Sequence, residues 1–480
     1  MSETFEELLP STRRALDHRI ATAQAEGRAP SVVAAVVREG RTVWTGARGT
    51  VDGREAGGAP DAATQYRIGS ITKTFTAVLV LMLRDEGLLD LLDPLEKHLP
   101  GAAVTTGVGE VTIAQLLSHT SGLAAESPSP WWERTPGSLR PTLADVLGEE
   151  PLRHPSGRVH HYSNPGYTVL GSLVEKLRGE SWETVLRRDV LEPLGMTRTS
   201  GQARSPYAPG WAVHPWADVL LPEPAEDLGL MAPAGQLWST TADLARWARF
   251  LAEGDARVLG PESVAEMRRP AAAPDPDTPE AGYGLGLQLA RRDGRTLVGH
   301  TGSLPGFLAT LWVSTEDGLA GVALANATSG PLMSALASDL VRITAEHEPR
   351  MPAPWAPLPD ADPDLLALTG PWYWGPAPFL MRLAAGRALE LVPLSGAGRG
   401  SRFRAEDDGT WTGLDGYYAG ETLRPVRASA GPGDTDDTEA GTVTHLDLGS
   451  FVFTRRPYDP GAAVPGGVDL EGWRPVPPAS

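Results

Sequence analysis

The stretch that decides the fold is IGSITKTFTAVLVLML, residues 68–83, in which Ser70 stands three positions before Lys73. The apolar run after Lys73 predicts a helix from about Ser70 to Glu86, and Gly87 follows where a helix end favours glycine. Residues three apart share one helix face, so the Lys73 amine would lie beside the Ser70 hydroxyl. A partly desolvated, neutral lysine can accept a serine proton, which makes Ser70 a candidate nucleophile and Lys73 its base.

The Ser-x-x-Lys pattern is specific within this chain, but the tetrapeptide alone is not decisive. The chain has three lysines, Lys73, Lys97 and Lys176, and only Lys73 has a serine three positions before it. A helix-capping serine and a solvated lysine would give the same four letters. The free N–H groups at a helix start would, however, stabilise an oxyanion developing at Ser70.

A second stretch, RVHHYSNPGYTVLGSLVEKLRG at 158–179, places polar side chains just before a predicted helix. In an extended segment Tyr162 and Asn164 project to one side and Ser163 to the other. A phenol and an amide aimed at one point could relay a proton and hold an acyl amide. A turn with a packed tyrosine and a capping asparagine is the simpler interpretation of these three residues alone.

A third stretch, LVGHTGSLPG at 297–306, places His300 in a predicted strand between Gly299 and Gly302. Glycines inside a strand permit close approach of another backbone or of a ligand. A lone histidine is more often structural than catalytic, so this stretch gains weight only beside the other two.

Composition excludes several classes of function. A net charge of −18 disfavours binding to nucleic acids and anionic membranes, because phosphates would be repelled. The absence of cysteine excludes disulfides, thiolate zinc sites and cysteine nucleophiles. The acidic, amphipathic start lacks the apolar core of a signal peptide, and the run AVLVLML at 77–83 is too short to span a bilayer. We therefore expect a cytoplasmic protein.

The 480 residues predict more than one domain. A helix over about 5–26 and a hairpin at Glu39-Gly40 begin the first domain, at 1–348. The proline-rich stretch 349–364 has the composition of a stiff linker. Beyond it, 365–480 shows short alternating segments typical of a small antiparallel barrel or sandwich, with a loop at 431–441.

Together the motifs resemble the penicillin-binding protein and class C β-lactamase-like superfamily of serine acyl-transfer enzymes, over roughly residues 10–345. They occur in the same order: Ser70-x-x-Lys73, Tyr162-x-Asn164 and His300-x-Gly302, with LLSHTSGL at 116–123 and YGLGL at 283–287. The resemblance implies an α/β (α+β) domain with an antiparallel sheet and a helical subdomain, and a site between them.

Carried over to this chain, the resemblance implies a role for each matching residue. Ser70 would be the nucleophile, Lys73 its base and Tyr162 a partner in proton transfer. Asn164 would position the acyl group, and His300, Thr301 and Gly302 would line the opposite wall. The backbone N–H groups of Ser70 and Ser303 would form the oxyanion hole.

One departure from the family pattern bears on the substrate. Many β-lactamases carry Lys-Thr-Gly where this chain has His300-Thr301-Gly302. Histidine there resembles the carboxypeptidase and esterase members, and it is largely neutral near pH 7. The site would therefore lack a permanent positive charge for a substrate carboxylate, and we do not expect efficient β-lactam hydrolysis.

A closer resemblance is to the penicillin-binding-protein-type thioesterases, stand-alone nonribosomal peptide cyclases that pair such a domain with a lipocalin-like one; WWERTPG at 131–137 is similar to that group. It implies a peptidyl thioester on a carrier protein's pantetheine arm, released from Ser70 as a macrolactam, with no cofactor or metal. Trp131, Trp132, Trp211 and Trp216 would help to exclude water, although ordinary packing also explains them.

Arg455, in the sequence FVFTRRP, is predicted on the last barrel strand, from which its side chain could reach the cleft. A surface arginine on an edge strand is the simpler interpretation.

Other classes of function remain weaker. An intracellular esterase or a D-amino-acid-specific peptidase or carboxypeptidase with the same site is the main alternative. A catalytically dead binding protein would not need Ser70, Lys73 and Tyr162 together. No Gly-x-Ser-x-Gly elbow supports an α/β-hydrolase, and the histidines at 154, 160 and 161 lack the His-Glu-x-x-His pattern of a zinc hydrolase.

Overall fold

The computed structural model describes residues 7–457, apart from 55–56, 102–107, 129, 140, 273–277, 353, 361, 397 and 428–441. The chain divides into two units, residues 1–351 and 352–480, and the division falls inside the proline-rich stretch 349–364. The loop expected at 431–441 lies outside the described residues. Within the described residues, no helix is both long enough and apolar enough to cross a membrane.

The first unit mixes helices with antiparallel strands. Its helices are α1 (Pro10–Glu26), α2 (Thr72–Asp85), α3 (Leu95–His98), α4 (Ile113–Leu117), α5 (Leu143–Leu147), α6 (Asn164–Arg178), α7 (Trp182–Leu186), α8 (Ala232–Gly235), α9 (Thr241–Glu253), α10 (Pro261–Met267) and α11 (Met333–His347). Its strands are β1 (Ser31–Arg38), β2 (Arg41–Gly49), β3 (Tyr66–Arg67), β4 (Trp211–Val213), β5 (Leu220–Pro222), β6 (Trp238–Ser239), β7 (Ala281–Tyr283), β8 (Gln288–Arg292), β9 (Arg295–Leu304), β10 (Phe307–Ser314) and β11 (Leu319–Ala325).

The central sheet of this unit has the strand order β2-β1-β11-β10-β9-β8-β7, and neighbouring strands run antiparallel. Strand β1 shows how the sheet separates two cores. Val33, Ala35 and Val37 join the core shared with α2, α6 and α9, whereas Val32 and Val36 join the core formed with α1 and α11. Alternate side chains of a strand point to opposite faces, so the alternation places the sheet between two helical layers.

The helix predicted from residues 70 to 86 is confirmed, with a tighter first turn. A 3₁₀ turn, Gly69–Ile71, leads directly into α2, and Gly87 follows the helix with φ +74°. The side chains from Thr72 to Leu83 are buried, because α2 runs through the larger core. The N-terminal helix begins at Pro10 rather than at residue 5, since proline suits the first turn of a helix.

The second unit is a closed barrel with the strand order β12 to β19, which confirms the predicted fold class. Its elements are α12 (Pro363–Leu366), β12 (Gly370–Trp374), β13 (Ala377–Leu383), β14 (Leu389–Pro393), β15 (Ser401–Ala405), β16 (Trp411–Gly413), β17 (Thr422–Arg427), β18 (Val443–Leu448) and β19 (Phe451–Thr454). Each strand pairs with the next in the chain, and Tyr373 pairs with Thr454 to close the barrel. This is the up-and-down arrangement of lipocalin-like barrels. Large side chains such as Trp372, Phe403 and Phe453 fill its interior.

Candidate active site

The Ser70 hydroxyl lies 3.1 Å from the Lys73 amine, as the one-turn spacing predicts. Ser70 sits in the 3₁₀ turn before α2 and is partly exposed, whereas Lys73 in the first turn of α2 is fully buried. The pair therefore joins a nucleophile that a substrate can reach to an amine that water does not reach.

Burial lowers the pKa of Lys73 from its usual range to about 7, although the carboxylates of Glu126 and Glu133 act in the opposite direction. The amine also contacts Asn164 Oδ1 at 2.6 Å and the Ala234 carbonyl oxygen at 2.8 Å. In the neutral form its two hydrogens would serve these two acceptors, leaving the lone pair for the Ser70 hydroxyl. Near neutral pH a substantial fraction of Lys73 is therefore a base.

Tyr162 and Asn164 project toward Lys73, and Ser163 projects away, as the extended segment predicts. The Ser163 hydroxyl caps α6 by accepting the Gly166 N–H, and it donates to the Ala124 carbonyl. The Tyr162 ring centre lies 4.9 Å from the Lys73 amine. This segment supplies two side chains to one point because its third side chain is used to start a helix.

The Tyr162 hydroxyl is a buried polar group with no hydrogen bond of regular geometry within the described residues. Burial raises its pKa well above the usual range, and the neighbouring Ser70 hydroxyl only partly offsets this effect. The phenol is therefore neutral, and its O–H is available to a substrate atom or leaving group that enters beside Ser70.

Asn164 bridges the lysine to a carboxylate that the sequence did not single out. Its Nδ2 donates to Glu126 Oε1 at 2.8 Å, and the Trp132 indole Nε1 donates to Glu126 Oε2 at 2.7 Å. Both ends of the Asn164 amide are engaged, so in this state it orients Lys73. The expected role of Asn164 in holding the acyl group stays a prediction.

His300 is buried and neutral. Its Nδ1 lies 2.5 Å from the Thr301 carbonyl oxygen, which can only accept, so Nδ1 carries the hydrogen. Nε2 is then the acceptor for the Tyr283 hydroxyl at 3.0 Å. Burial and the nearby Lys73 lower the His300 pKa to about 3. Both ring nitrogens are occupied, so His300 offers no positive charge to a substrate.

The glycine at position 302 lets two backbones meet at Ser70. A Cβ built on Gly302 would lie 1.9 Å from the Ile68 carbonyl oxygen and 3.1 Å from the Ser70 nitrogen. The Thr301 N–H donates to Gln288 Oε1 at 3.0 Å, away from β10. Backbone groups two residues apart on a strand point to the same side, so the Ser303 N–H also points away from β10, toward Ser70. The Ser70 and Ser303 N–H groups are thus placed for an oxyanion hole.

His119 is a second residue that sequence reasoning missed, although it lies inside LLSHTSGL. It is fully buried with φ +57°, and its Nδ1 accepts the Ser163 N–H at 3.0 Å. Its ring centre lies 4.2 Å from that of Tyr162. Left-handed backbone at a non-glycine residue is uncommon, and here it places an imidazole behind the tyrosine segment.

A cavity of about 840 Å³ opens beside Ser70 along the edge of β9. The lining residues that bear on the predicted site are Ser70, Tyr162, Gln288, His300, Thr301, Gly302 and Ser303.

The four tryptophans proposed as walls do not share one environment. Trp132 is partly buried and joins the Glu126 network, whereas Trp131 is 58% exposed and donates to Glu133. Trp211 lies in β4, and Trp216, in the turn that follows, is 90% exposed. The Trp216 side chain is not packed into the protein interior, and its expected role in excluding water stays a prediction.

Arg455 is bound within the second unit. Its Nη1 donates to the carbonyl oxygens of Thr369 at 2.8 Å and Pro371 at 3.1 Å, and its Nη2 donates to that of Ala367. The guanidinium lies 3.8 Å from the centre of the Trp372 ring. The expectation that this side chain leaves the barrel is contradicted, because carbonyl oxygens before and within β12 accept from its donors.

These residues form a constellation suited to acyl transfer: a reachable serine, a lysine that is partly neutral near pH 7, a neutral phenol and two convergent N–H groups. Fold and site together define a serine hydrolase of the β-lactamase and penicillin-binding-protein class. The chain belongs to the Beta-lactamase family, whose model matches residues 16–346. A second family model, a domain of unknown function (DUF7586), matches residues 361–455 in the barrel.

The chain is similar to three proteins of known sequence or structure. Penicillin-binding protein 4 of Amycolatopsis lactamdurans is 32% identical over 338 residues, which cover 66% of this chain and 86% of that protein. The crystal structure of SurE matches with a TM-score of 0.58 and 26% identity, over 93% of this chain and 99% of SurE; SurE is also solved with D-Leu. The D-stereospecific amidohydrolase from Streptomyces sp. matches with a TM-score of 0.57 and 28% identity, over 71% of this chain and 99% of that protein.

Proposed function

We propose that this enzyme takes a peptidyl thioester onto Ser70 and releases the peptide by head-to-tail macrolactamisation, with hydrolysis as a side reaction. The acyl group would arrive on the pantetheine arm of a carrier protein. The peptide's own N-terminal amine would be the second nucleophile.

The observation that carries this proposal is the neutral, fully engaged His300. A substrate with a free carboxylate beside the scissile bond, such as a β-lactam, would gain from a cation at this position, and His300 does not supply one. Arg292 also lines the cavity, but it lies far from Ser303. It stands opposite Arg295 on β9, and Arg295 is eight residues before Ser303, which is about 26 Å along an extended strand. A thioester has no C-terminal carboxylate, so it suits a site in which residue 300 is neutral.

In the first half-reaction, the Ser70 oxygen would bond to the thioester carbonyl carbon while its proton passes to neutral Lys73. The Ser70 and Ser303 N–H groups would stabilise the oxyanion. Collapse of this intermediate breaks the carbon–sulfur bond, and the thiolate takes up a proton delivered from Lys73, directly or through the Tyr162 hydroxyl. In the second half-reaction, the peptide amine would bond to the ester carbonyl carbon and pass a proton to the same pair of groups. The bond from that carbon to the Ser70 oxygen would then break, and the oxygen would take the proton back, which restores Ser70 and neutral Lys73.

Similarity across both units supports the proposal. The first unit is 351 of 480 residues, so a match over 93% of the chain extends into the barrel. The structure of SurE with D-Leu supports a D residue at the acyl carbonyl. The likeness to a D-stereospecific amidohydrolase favours a second candidate, a hydrolase for D-amino-acid substrates with the same site.

A pair of synthetic donors separates the two candidates. Linear peptides of about eight residues, carrying a C-terminal pantetheine-type thioester, would differ only in the chirality of the last residue. We expect the D-terminated donor to react faster and to give mainly a product lighter than the linear acid by one water. Acetylation of the N-terminal amine should stop cyclisation and leave slow hydrolysis. Linear acid alone from both donors with a free amine would favour the hydrolase.

A further inference from the structure

Glu126 connects the rim of the cleft to the catalytic lysine. Its two carboxylate oxygens accept from different donors, Asn164 Nδ2 at 2.8 Å and Trp132 Nε1 at 2.7 Å. The other end of the Asn164 amide accepts from the Lys73 amine at 2.6 Å. Three hydrogen bonds therefore run in series from the indole to the base of the reaction.

Lys73 and Glu126, at the two ends of the Asn164 amide, fix which group donates and which accepts in each hydrogen bond. Protonated Lys73 can only donate, and an ionised carboxylate can only accept. The Asn164 amide satisfies both only with Oδ1 toward Lys73 and Nδ2 toward Glu126. If the amide turned over, its NH₂ would face the lysine hydrogens, and the amine would lose the acceptor that aims it at Ser70.

The backbone holds Glu126 and Asn164 in register. The Asn164 N–H donates to the Ala125 carbonyl at 2.9 Å, and the Ser163 hydroxyl donates to the Ala124 carbonyl at 2.7 Å. The segment before Glu126 is thus bonded to the start of α6, so the carboxylate reaches Asn164 from a fixed origin.

We propose that Glu126 is a positioning residue: it selects the orientation of the Asn164 amide, which in turn aims the Lys73 amine at Ser70, and Trp132 holds Glu126 in place. Lys73 accepts the proton of the attacking nucleophile in both half-reactions, so the proposal applies to kcat whichever step limits it, and it does not depend on whether an amine or water resolves the acyl-enzyme.

The charge of Glu126 has an effect separable from its position. Its carboxylate opposes burial in setting the pKa of Lys73, as does that of Glu133. Glu133 accepts from the Trp131 indole at 2.8 Å and has no hydrogen bond to Asn164 in the structure. Other titratable groups that contact Lys73 or interact with its charge are Tyr162, Tyr167, His119 and His300. Glu133 is therefore a control residue: its charge affects the pKa of Lys73, but it does not orient Asn164.

Three variants separate the two effects on a p-nitrophenyl ester: Glu126→Asp, Glu126→Gln and Glu133→Gln. The shorter aspartate keeps the charge but cannot reach both donors. Its kcat at pH 9 should therefore fall about 3- to 10-fold, which corresponds to the loss of one hydrogen bond. The acid limb of the kcat/KM profile, where activity rises with pH, should stay at the same pH. Glu126→Gln has one acceptor for two donors, so kcat should fall similarly while the acid limb moves to lower pH. Glu133→Gln should move the limb the same way at unchanged kcat.

If Glu126 had only a structural role, the result would differ. Its variants would then have a lower melting temperature and a smaller fraction of active enzyme, as counted by the ester burst, but the kcat of each active site would be unchanged. That result, or a kcat at pH 9 equal to wild type in both Glu126 variants, overturns the proposal. So does a loss confined to KM, because positioning of the base acts on the chemical step.

Discussion

Gly302→Ala tests the geometry that brings Ser70 and Ser303 together. The added Cβ would lie 1.9 Å from the Ile68 carbonyl oxygen, whereas carbon and oxygen in contact lie about 3.3–3.6 Å apart. The turn that carries Ser70 and the edge of β9 must therefore separate by about 1.5 Å. This separation spreads the two N–H groups that would meet the oxyanion.

The expected loss follows from that displacement. Removing one oxyanion donor costs about 10²–10³ in kcat, and a 1 Å misplacement can cost about 10². We therefore expect kcat on a p-nitrophenyl ester to fall by about 10² or more, with Lys73 and Tyr162 intact.

Gly282→Ala is the matched control, because it lies in the same sheet and its Cβ would meet Leu289 at an ordinary 3.7 Å. Circular dichroism would show that both variants are folded, and an ester burst would count the active sites. A folded Gly302→Ala enzyme with kcat within about threefold of wild type would refute the argument that close backbone approach at residue 302 builds the oxyanion hole.

Three further predictions follow from the site and the barrel. With a Lys73 pKa of about 7, kcat/KM should rise as pH increases through 7, because only the neutral amine accepts a proton, and Lys73→Arg should cost about 10² or more; a flat profile from pH 5 to 9 would place the base elsewhere. Tyr162→Phe should reduce turnover by about 10²–10⁴ with an unchanged melting temperature, and near-normal turnover would remove the phenol from proton transfer. Arg455→Ala should destabilise the barrel by about 1–3 kcal/mol in denaturant unfolding while leaving p-nitrophenyl ester kinetics unchanged, and unaltered stability would contradict its bonds to the carbonyls around β12.

The elements that the sequence predicted carry strong local signals. Ser70 and Lys73 are tied by helix periodicity, and a single buried apolar run fixes the helix that holds them. Tyr162 and Asn164 are tied by strand alternation next to a proline at the helix start. In each case the functional spacing is also a secondary-structure spacing, so it can be read without tertiary contacts.

The residues that were missed depend on contacts between distant segments. Glu126 lies in an irregular serine- and proline-rich stretch, and only the fold brings it to Asn164, 38 positions later. Tyr283 reaches His300 across the β7–β8–β9 edge, and the backbone oxygen of Ala234 carries no side-chain signal at all. His119 lies inside the LLSHTSGL motif, but the sequence does not show that its ring accepts a hydrogen bond from the Ser163 N–H.

Arg455 illustrates the opposite error. The alternation of side chains along the last strand predicted the face on which Arg455 lies. It could not show that carbonyl oxygens before and within β12 are close enough to accept its hydrogen bonds. Long arginine side chains choose among such partners, so their position depends on the tertiary structure.

The most direct test of the central claim is the mass of the enzyme after it meets a peptidyl thioester. A D-terminated donor with an acetylated amine, mixed with enzyme and quenched in acid within seconds, should add the mass of the peptide acyl group to the protein. Proteolysis should place that mass on Ser70, and Ser70→Ala should show neither adduct nor thiol release. An adduct on another residue, or thiol release by Ser70→Ala at the wild-type rate, would contradict the account.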